Sequence, residues 1–591
     1  MRKVKIHLLY ALIFSLLSVA CNSSSDGGAA VNYLVANDNN SNNLPSNDNT
    51  NIKPYFVKTN AVNKFVYSIT SDGKLYTWGN NEFGNTGNGT TNNQTTPHLV
   101  EINGKIKNVV SYLGNTVFAI TEEGKLYSWG KNISGQVGNG TTNNQTTPYL
   151  VEINGKIKDV DSSCDETIYA ITEEGKLYSW GNNISGQVGN GTTNNQTTPY
   201  LVEIDGKIKN VVSSCDDTVF AITEDGKLYS WGKNNHGQIG DGKANDDNSS
   251  NQLTPHLVVG IDGKVKDIII DNYTVYAITE EDKLYSWGNN QRGQVGSSNP
   301  DNQNEPMIKS PEELSIVGKV KNIFISFNDT VYAVTEEGKL YSWGNNTKGQ
   351  VGNGKSGDNV KQIESHLVEG IDGKVKDIVL SPHTVFVITE EGKLYSWGQN
   401  NKGQVGNGTD TGIQTTPYNI NILSKKVISV GYNASDSVFA ITEDGYLYGW
   451  GNNPYPYNLL AYSNSNDSSS SPRRVNTNEK FKKIFTNAKN TTYALTEDNR
   501  LYSWGYNDYG ELGNGESKTK IVKEPYELTT VGKVKDVLIQ PSSYDTTKER
   551  ATVFTITEDN RLYAWGFNDK GQVGNGKSGD NEKQTTPYEI K

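Results

Sequence analysis

Apolar residues along this chain come in short alternating runs separated by polar, glycine-bearing breaks, and the pattern returns about every fifty residues. One copy shows the unit. Positions 99–102 alternate apolar and polar, Asn103-Gly104 follows, and 105–111 alternates again. Asn-Gly suits a type I′ hairpin, because both central residues of that turn need positive φ. Positions 116–121 read as a third strand, Glu122-Glu123-Gly124 as a second turn and 125–129 as a fourth strand. The unit is expected to be a four-stranded antiparallel meander. Val117 and Ala119 point to one side of the third strand, Phe118 and Ile120 to the other. A sheet apolar on both faces needs cover on both, which blades stacked about 10 Å apart in a propeller provide. The polar stretch between Trp129 and Pro148 contains Gly135-Gln136-Val137-Gly138. It is expected to carry the chain from the rim of one blade to the centre of the next, its glycines supplying the tight bends.

All ten tryptophans precede a glycine: Trp78, Trp129, Trp180, Trp231, Trp287, Trp343, Trp397, Trp450, Trp504 and Trp565. Their separations of 51 to 61 residues mark a repeat architecture before anything else. Early copies are nearly identical, as at 140–148 and 191–199. Residues 54–591 hold the array, with a degenerate copy near 427–480, where Asn452-Asn453-Pro454-Tyr455-Pro456-Tyr457 replaces the Gly-Gln-Val-Gly segment. The fold class is all-β, a propeller of four-stranded antiparallel blades. Two ring sizes fit. One is seven regular blades followed by a tail. The other, slightly preferred, is one closed array of ten, sealed by pairing the C-terminal strand at 586–590 with the N-terminal strand at 54–57, since a lone strand leaves an unpaired edge.

The string Gly124-Lys125-Leu126-Tyr127-Ser128-Trp129-Gly130-x-Asn132-x-x-Gly135-Gln136-Val137-Gly138 resembles the repeat of the regulator of chromosome condensation family. The resemblance covers residues 55–591 and implies a β-propeller, with seven blades as the family norm. The family's Gly-x-x-His-Ser/Thr before the third strand is absent: Leu113-Gly114-Asn115-Thr116 or Ser163-Cys164-Asp165-Glu166-Thr167 stands there. The family's namesake is a nucleotide exchange factor for a small nuclear GTPase and binds chromatin. An exported acidic chain is poorly placed to meet either partner.

Export is read from the first 21 residues. Arg2, Lys3 and Lys5 precede an apolar run from Leu8 to Ala20 that is too short to span a bilayer. The segment ends Leu17-Ser18-Val19-Ala20-Cys21, resembling the lipobox of bacterial lipoproteins, in which the cysteine thiol is acylated. Ser18 stands where that pattern has leucine, so cleavage after Ala20 that leaves a free cysteine is the alternative. Residues 22–53 are rich in Asn, Ser, Asp and Gly and read as a disordered tether. Loss of the three leader cations takes the formal charge from −11 to −14. That balance argues against nucleic acid as a partner, and leaves the membrane reached through a lipid at Cys21 alone.

The tyrosines and tryptophans of the fourth strands, such as Tyr127 and Trp129, could stack on sugars. Their recurrence in every copy makes them blade core instead. Cys164 and Cys215 hold equivalent places in adjacent copies and can bridge only if their Cα atoms lie within about 7 Å, which equivalent points on neighbouring blades seldom do unless near the axis, so free thiols are the expectation. The six histidines show no metal-ligand spacing, and no calcium loop, phosphate loop or nucleophile elbow occurs. No cofactor, metal site or catalytic residue is therefore expected. The expected function is a non-enzymatic scaffold on the bacterial cell envelope, binding a protein or glycan partner through its long loops and the irregular stretch 452–475. The alternative is a lectin or glycan-active enzyme, whose catalytic residue would appear in one copy and break the repeat.

Overall fold

The computed structural model describes residues 34–35, 55–112, 115–164, 166–244, 250–297, 299, 305–422, 424–433, 435–454, 459–462, 468–486, 490–517, 522–541 and 550–591. Segment 1–21 with Cys21, and stretch 22–53 apart from Leu34–Val35, lie outside them. The described residues form ten antiparallel sheets in sequence order, blades 1 to 10, starting at residues 56, 106, 157, 208, 265, 320, 375, 427, 481 and 534. In blade 2 the strands Ile106–Tyr112, Thr116–Thr121, Leu126–Gly130 and Gln145–Leu150 pair in that order. First strands adjoin one another around the axis and fourth strands form the rim. No helix among the described residues is long and apolar enough to cross a membrane.

The blade is framed differently from the sequence reading. Its fourth strand is Gln145–Leu150, and the polar stretch from Lys131 to Asn144 links the third and fourth strands of one blade. The chain changes blades instead at 100–105, where Asn103-Gly104 lies. This is a crossing and not a hairpin: Ile106 N–H donates to Gly73 O of the blade 1 turn (2.8 Å). First-to-second and third-to-fourth connections therefore share one end of the ring, the loop face. Second-to-third turns and crossings share the other, the turn face. Rim strands are blunted by proline, as at Pro97, Pro148 and Pro199, with Ser365 at the matching place in blade 6.

Blades interlock by alternation. Phe118, Ile120 and Leu126 of blade 2 pack onto Val160, Ile168, Ala170, Tyr178 and Trp180 of blade 3. The other face of blade 2, with Val117, Ala119 and Trp129, meets Phe65, Tyr67 and Leu75 of blade 1. Aromatic side chains meet across the junctions, Phe220 edge-on to Trp287 and Phe386 to Trp450, with alanines such as Ala170 between them, filling the space as close packing requires. All ten tryptophans are fully buried, and each indole donates to a backbone carbonyl in the loop of the preceding blade, as Trp129 does to Asn85 (2.8 Å) and Trp180 to Gln136 (2.9 Å). That satisfies the polar atom of a buried aromatic.

The ring closes with the same interaction. Trp78 of blade 1 donates to Gln572 O of blade 10 (2.9 Å), and Gly576 N–H to Thr95 O (2.9 Å). Phe554, Ile556 and Leu562 pack against Ala61, Val66 and Trp78. All ten units form one closed propeller, but not by exchange of a terminal strand. The C-terminal strand Lys583–Ile590 pairs within blade 10 and the N-terminal strand Phe56–Val62 within blade 1. Every blade has its own four strands, so closure rests on face packing and on bonds between the loop of blade 10 and blade 1.

Candidate functional site on the loop face

The long loop between third and fourth strands is mostly structural. In blade 2, Asn132 Nδ2 donates to Asn139 Oδ1 (3.2 Å), Thr141 O (3.0 Å) and Asn143 O (2.9 Å), while its Oδ1 accepts Val137 N–H (2.8 Å). Gln136 Oε1 accepts Ser134 N–H (2.9 Å), and Gly140 N–H reaches Thr197 O of blade 3 (2.9 Å). The Asn-x-x-Gly-Gln-Val-Gly-Asn-Gly string is therefore a clasp on the next blade. Its buried asparagines, Asn132 and Asn183 among them, are hydrogen-bonded internally.

The irregular stretch 452–475 does the same work by other means. Leu459 O receives the Trp504 indole (2.9 Å), Asn453 Oδ1 accepts Leu460 N–H (3.0 Å), and Leu459 to Tyr462 are buried. Ser469–Arg474 is the fourth strand of blade 8. Removing 452–475 would therefore delete a blade edge and a clasp, so this stretch is not the separable binding loop that the sequence suggests. Its residues 455–458 and 463–467 lie outside the described ones.

Differences between copies gather instead at two places on the loop face. One is the residue before each second strand, whose carbonyl accepts the N–H two places after the tryptophan, as Glu166 O accepts from Asn182 (3.2 Å) and Asp329 O from Asn345 (3.1 Å). Side chains here latch onto the preceding blade. Glu166 pairs with Lys131 (2.5 Å), Asp217 takes hydrogen bonds from Ser185 (2.9 Å) and Gln187 (2.8 Å), and Asp329 pairs with Arg292 (3.3 Å). Tyr273 stacks on His236 with centroids 4.2 Å apart, and His383 Nδ1 lies 3.0 Å from Asn328 Nδ2. The other place is the loop tip. Ile133 and Ile184 occupy it in blades 2 and 3, 58% and 66% exposed, where other copies carry Glu82, Asn235, Gln291, Thr347 or Asn401. Phe327, on the inner loop of blade 6, is 39% exposed.

Near the axis, on the same face, sits a carboxylate that reading by repeat did not single out. Asp271 ends the first strand of blade 5, where blades 3, 4, 6 and 7 have Ser163, Ser214, Ser326 and Ser381. Enclosure by the ring, then the charges of Asp329 and Asp216, push its carboxyl up to about 7. Asp436 is raised to about 6 by burial, with Lys402 opposing. Burial and then Lys348 lower the His383 imidazole. A column-by-column comparison of the ten copies would have exposed them, since Asp271 is the one acid in its column and Ile133 and Ile184 are the two aliphatic side chains in a mostly polar one.

The remaining candidates fall into place. Cys164 and Cys215 are not free thiols but form a disulfide, Cα atoms 4.7 Å apart, joining the inner loops of blades 3 and 4. His98, His256 and His366 lie on separate rim strands, and no group of three metal-ligating side chains occurs among the described residues. A depression of about 510 Å³ on the turn face is walled by 123–126 and 150–157. Its Glu152-Ile153-Asn154 wall recurs as Glu203-Ile204-Asp205, which makes it part of the repeat framework.

Comparison with known proteins agrees with this architecture. Residues 105–438 match the RCC1-like domain, and 72–112, 498–538 and 559–591 match the regulator of chromosome condensation (RCC1) repeat, as does 481–511. The chain is 30% identical over 391 residues to the human E3 ubiquitin-protein ligase HERC2, covering 63% of this chain and 8% of that protein. It is 30% identical over 410 residues to the ultraviolet-B receptor UVR8 of Arabidopsis thaliana, covering 67% of this chain and 88% of that one. Among solved structures, yeast Prp20p is similar at 20% identity and a TM-score of 0.35, over 62% of this chain and 90% of that one. Human WBSCR16 is similar at 17% identity and 0.35, over 70% and 96%. With ten clasped Trp-Gly blades and these matches along its length, the chain belongs to the regulator of chromosome condensation repeat family.

Proposed function

We propose that this protein is a non-enzymatic scaffold, exported and held on a bacterial envelope through an acylated Cys21, that captures a protein partner on its loop face. The observation that carries this reading is the exposure of Ile133, Ile184 and Phe327 on one face of a rigid ring, the two isoleucines at loop-tip positions where most other copies are polar. Exposed apolar side chains held on stiff loops suit the anchoring role that interface centres need. The matched relatives carry names as different as a ubiquitin ligase and an ultraviolet-B receptor. What they share with this chain is the matched sequence, which supports reading it as a platform. The acidic balance disfavours nucleic acid.

A glycan-active propeller is the second reading, favoured by Asp271, whose carboxyl near 7 stands beside Asp329 and Asp216. One experiment separates them. Crosslinking on intact cells is expected to capture a partner that the variant Ile133→Ser/Ile184→Ser/Phe327→Ser recovers at least tenfold less, with unchanged far-UV circular dichroism. Asp271→Asn is expected to capture it normally. Equal capture by the triple variant, or glycan turnover that Asp271→Asn abolishes, would sink the scaffold reading.

A further inference from the structure

Blade 1 differs from the other nine sheets in having five strands: Leu34–Val35 pairs antiparallel with Phe56–Val62, Leu34 opposite Thr59 and Val35 opposite Lys58. That is the axis-side edge of the blade. It lies at the seam with Val534–Pro541 of blade 10, which Leu34–Val35 also approaches. Two features of the sequence suit it to this place. Val31, Tyr33, Leu34 and Val35 form an apolar island in an otherwise polar stretch, and such residues favour strands. The receiving edge is also less guarded than most. Eight of the ten first strands carry lysine at the bulge near their start, as Lys107 and Lys158 do; blades 1 and 8 have Val57 and Ile428. Edge lysines oppose strand addition; blade 1 lacks the one at the bulge, and its Lys58, opposite Val35, is drawn aside to Asn108 Oδ1 of blade 2 (2.7 Å), which leaves this edge open to a strand.

The direction of this strand has a consequence for display. Phe56–Val62 runs from the turn face to the loop face, so its antiparallel partner runs from loop face to turn face. The Leu34 end of this strand therefore points to the loop face and the Val35 end to the turn face. Twelve residues separate Cys21 from Leu34, a reach of at most roughly 45 Å fully extended. We infer that Leu34–Val35 is a latch: paired on the axis-side edge of blade 1, it turns the loop face toward the membrane that holds Cys21. This orientation rests on the acylation proposed above. The partner that meets Ile133, Ile184 and Phe327 is then membrane-bound rather than free in solution.

Two measurements on the full chain purified from membranes test the inference, and intact-mass analysis of its N-terminal peptide tests its premise. In Leu34→Cys/Thr59→Cys, mild oxidation is expected to join the two thiols, as facing positions of an antiparallel pair allow. The out-of-register pair Leu34→Cys/Val62→Cys should join at least tenfold less. Equal yields would overturn the latch. A donor dye on Thr142→Cys (loop face) or Val317→Cys (turn face) then reports energy transfer to acceptor-labelled lipid in phosphatidylethanolamine–phosphatidylglycerol vesicles. Stronger transfer from position 142 is expected; equal or reversed transfer overturns the orientation. An unacylated Cys21 overturns the anchoring and with it the orientation, while the 34–59 crosslink still reads the latch by itself.

Discussion

At Glu511 the carbonyl that receives the Trp565 indole (2.7 Å) belongs to an acidic residue, where most blades use a glutamine such as Gln136 or Gln187. The glutamine suits a dry junction, because it is neutral and its Oε1 caps a local N–H. Glu511 repeats that bond, Oε2 accepting Tyr509 N–H (2.8 Å), but is almost wholly buried, and Oε1 has no hydrogen-bond partner among the described residues. Burial pushes its carboxyl up to about 8, against the pull of backbone N–H groups of Glu511, Tyr509 and Ala551. The pH dependence follows from that direction. A carboxyl raised on folding contributes its full share below the unfolded pKa, near 4.5, and loses it as pH climbs through the folded value. Wild-type stability is expected to fall by on the order of a few kcal/mol between about pH 5 and 9 from this group. Glu511→Gln should flatten that fall and be the more stable protein at pH 9. Urea unfolding at pH 5, 7 and 9 checks this; parallel curves for the two proteins would reject it.

The third-to-fourth loop can be tested as an element because its glycines face different neighbours. Gly138 has φ +79°, and a Cβ there would stand 2.9 Å from Nε1 of Trp180; Gly140 has φ +80°, and its Cβ would meet nothing nearer than Thr198 Cγ2 at 3.7 Å. Both alanine variants pay about 1–2 kcal/mol for left-handed backbone. Gly138→Ala adds roughly 1–3 kcal/mol for displacing a packed indole. Thermal unfolding should rank Gly138→Ala clearly below Gly140→Ala, and equal losses would mean that the clasp does not hold the tryptophan. The same element shows where sequence reading stopped. Thr116–Thr121 and Leu126–Gly130 were legible because alternation with both faces apolar is a local property. Gln145–Leu150 was not, since a half-exposed rim strand carrying Pro148 looks like a link. Asn103-Gly104 carries hairpin chemistry, but Ile106 takes its partner from the blade behind, and no local pattern announces that. Closeness of Cys164 to Cys215 depends likewise on how far apart neighbouring inner loops sit. Ile133 and Ile184 hid inside Asn-Ile-Ser-Gly strings that otherwise read as turns.

For the whole molecule the question is why near-identical blades close at ten. At two other junctions the loop offers the cation and the next blade the acid, Lys131 with Glu166 and Arg292 with Asp329. At the closing junction the polarity is reversed: Asp569 lies on the loop and Lys64 on blade 1, 2.7 Å apart, with side chains 12% and 17% exposed. A ring closed early would bring a loop such as that of blade 7, with Lys402, against Lys64, placing like charges together in a poorly solvated site. The loop position of Asp569 is acidic also in blade 9 (Asp508) and blade 1 (Glu82) but in none of blades 2 to 8, so the pair disfavours closure through any of those seven. Lys64→Glu or Asp569→Lys should each weaken closure by roughly 1–3 kcal/mol, discounted toward the lower figure for residual solvent. An opened ring exposes the apolar faces now buried around Trp78 and Phe554, and such faces join head to tail. Light scattering should therefore show oligomers for each single variant. Lys64→Glu/Asp569→Lys restores an attractive pair in the polarity of those two junctions and should return the monomer with most of its stability. A double variant no better than the sum of the singles would show that closure is set by face packing alone, with charge playing no part in choosing the partner.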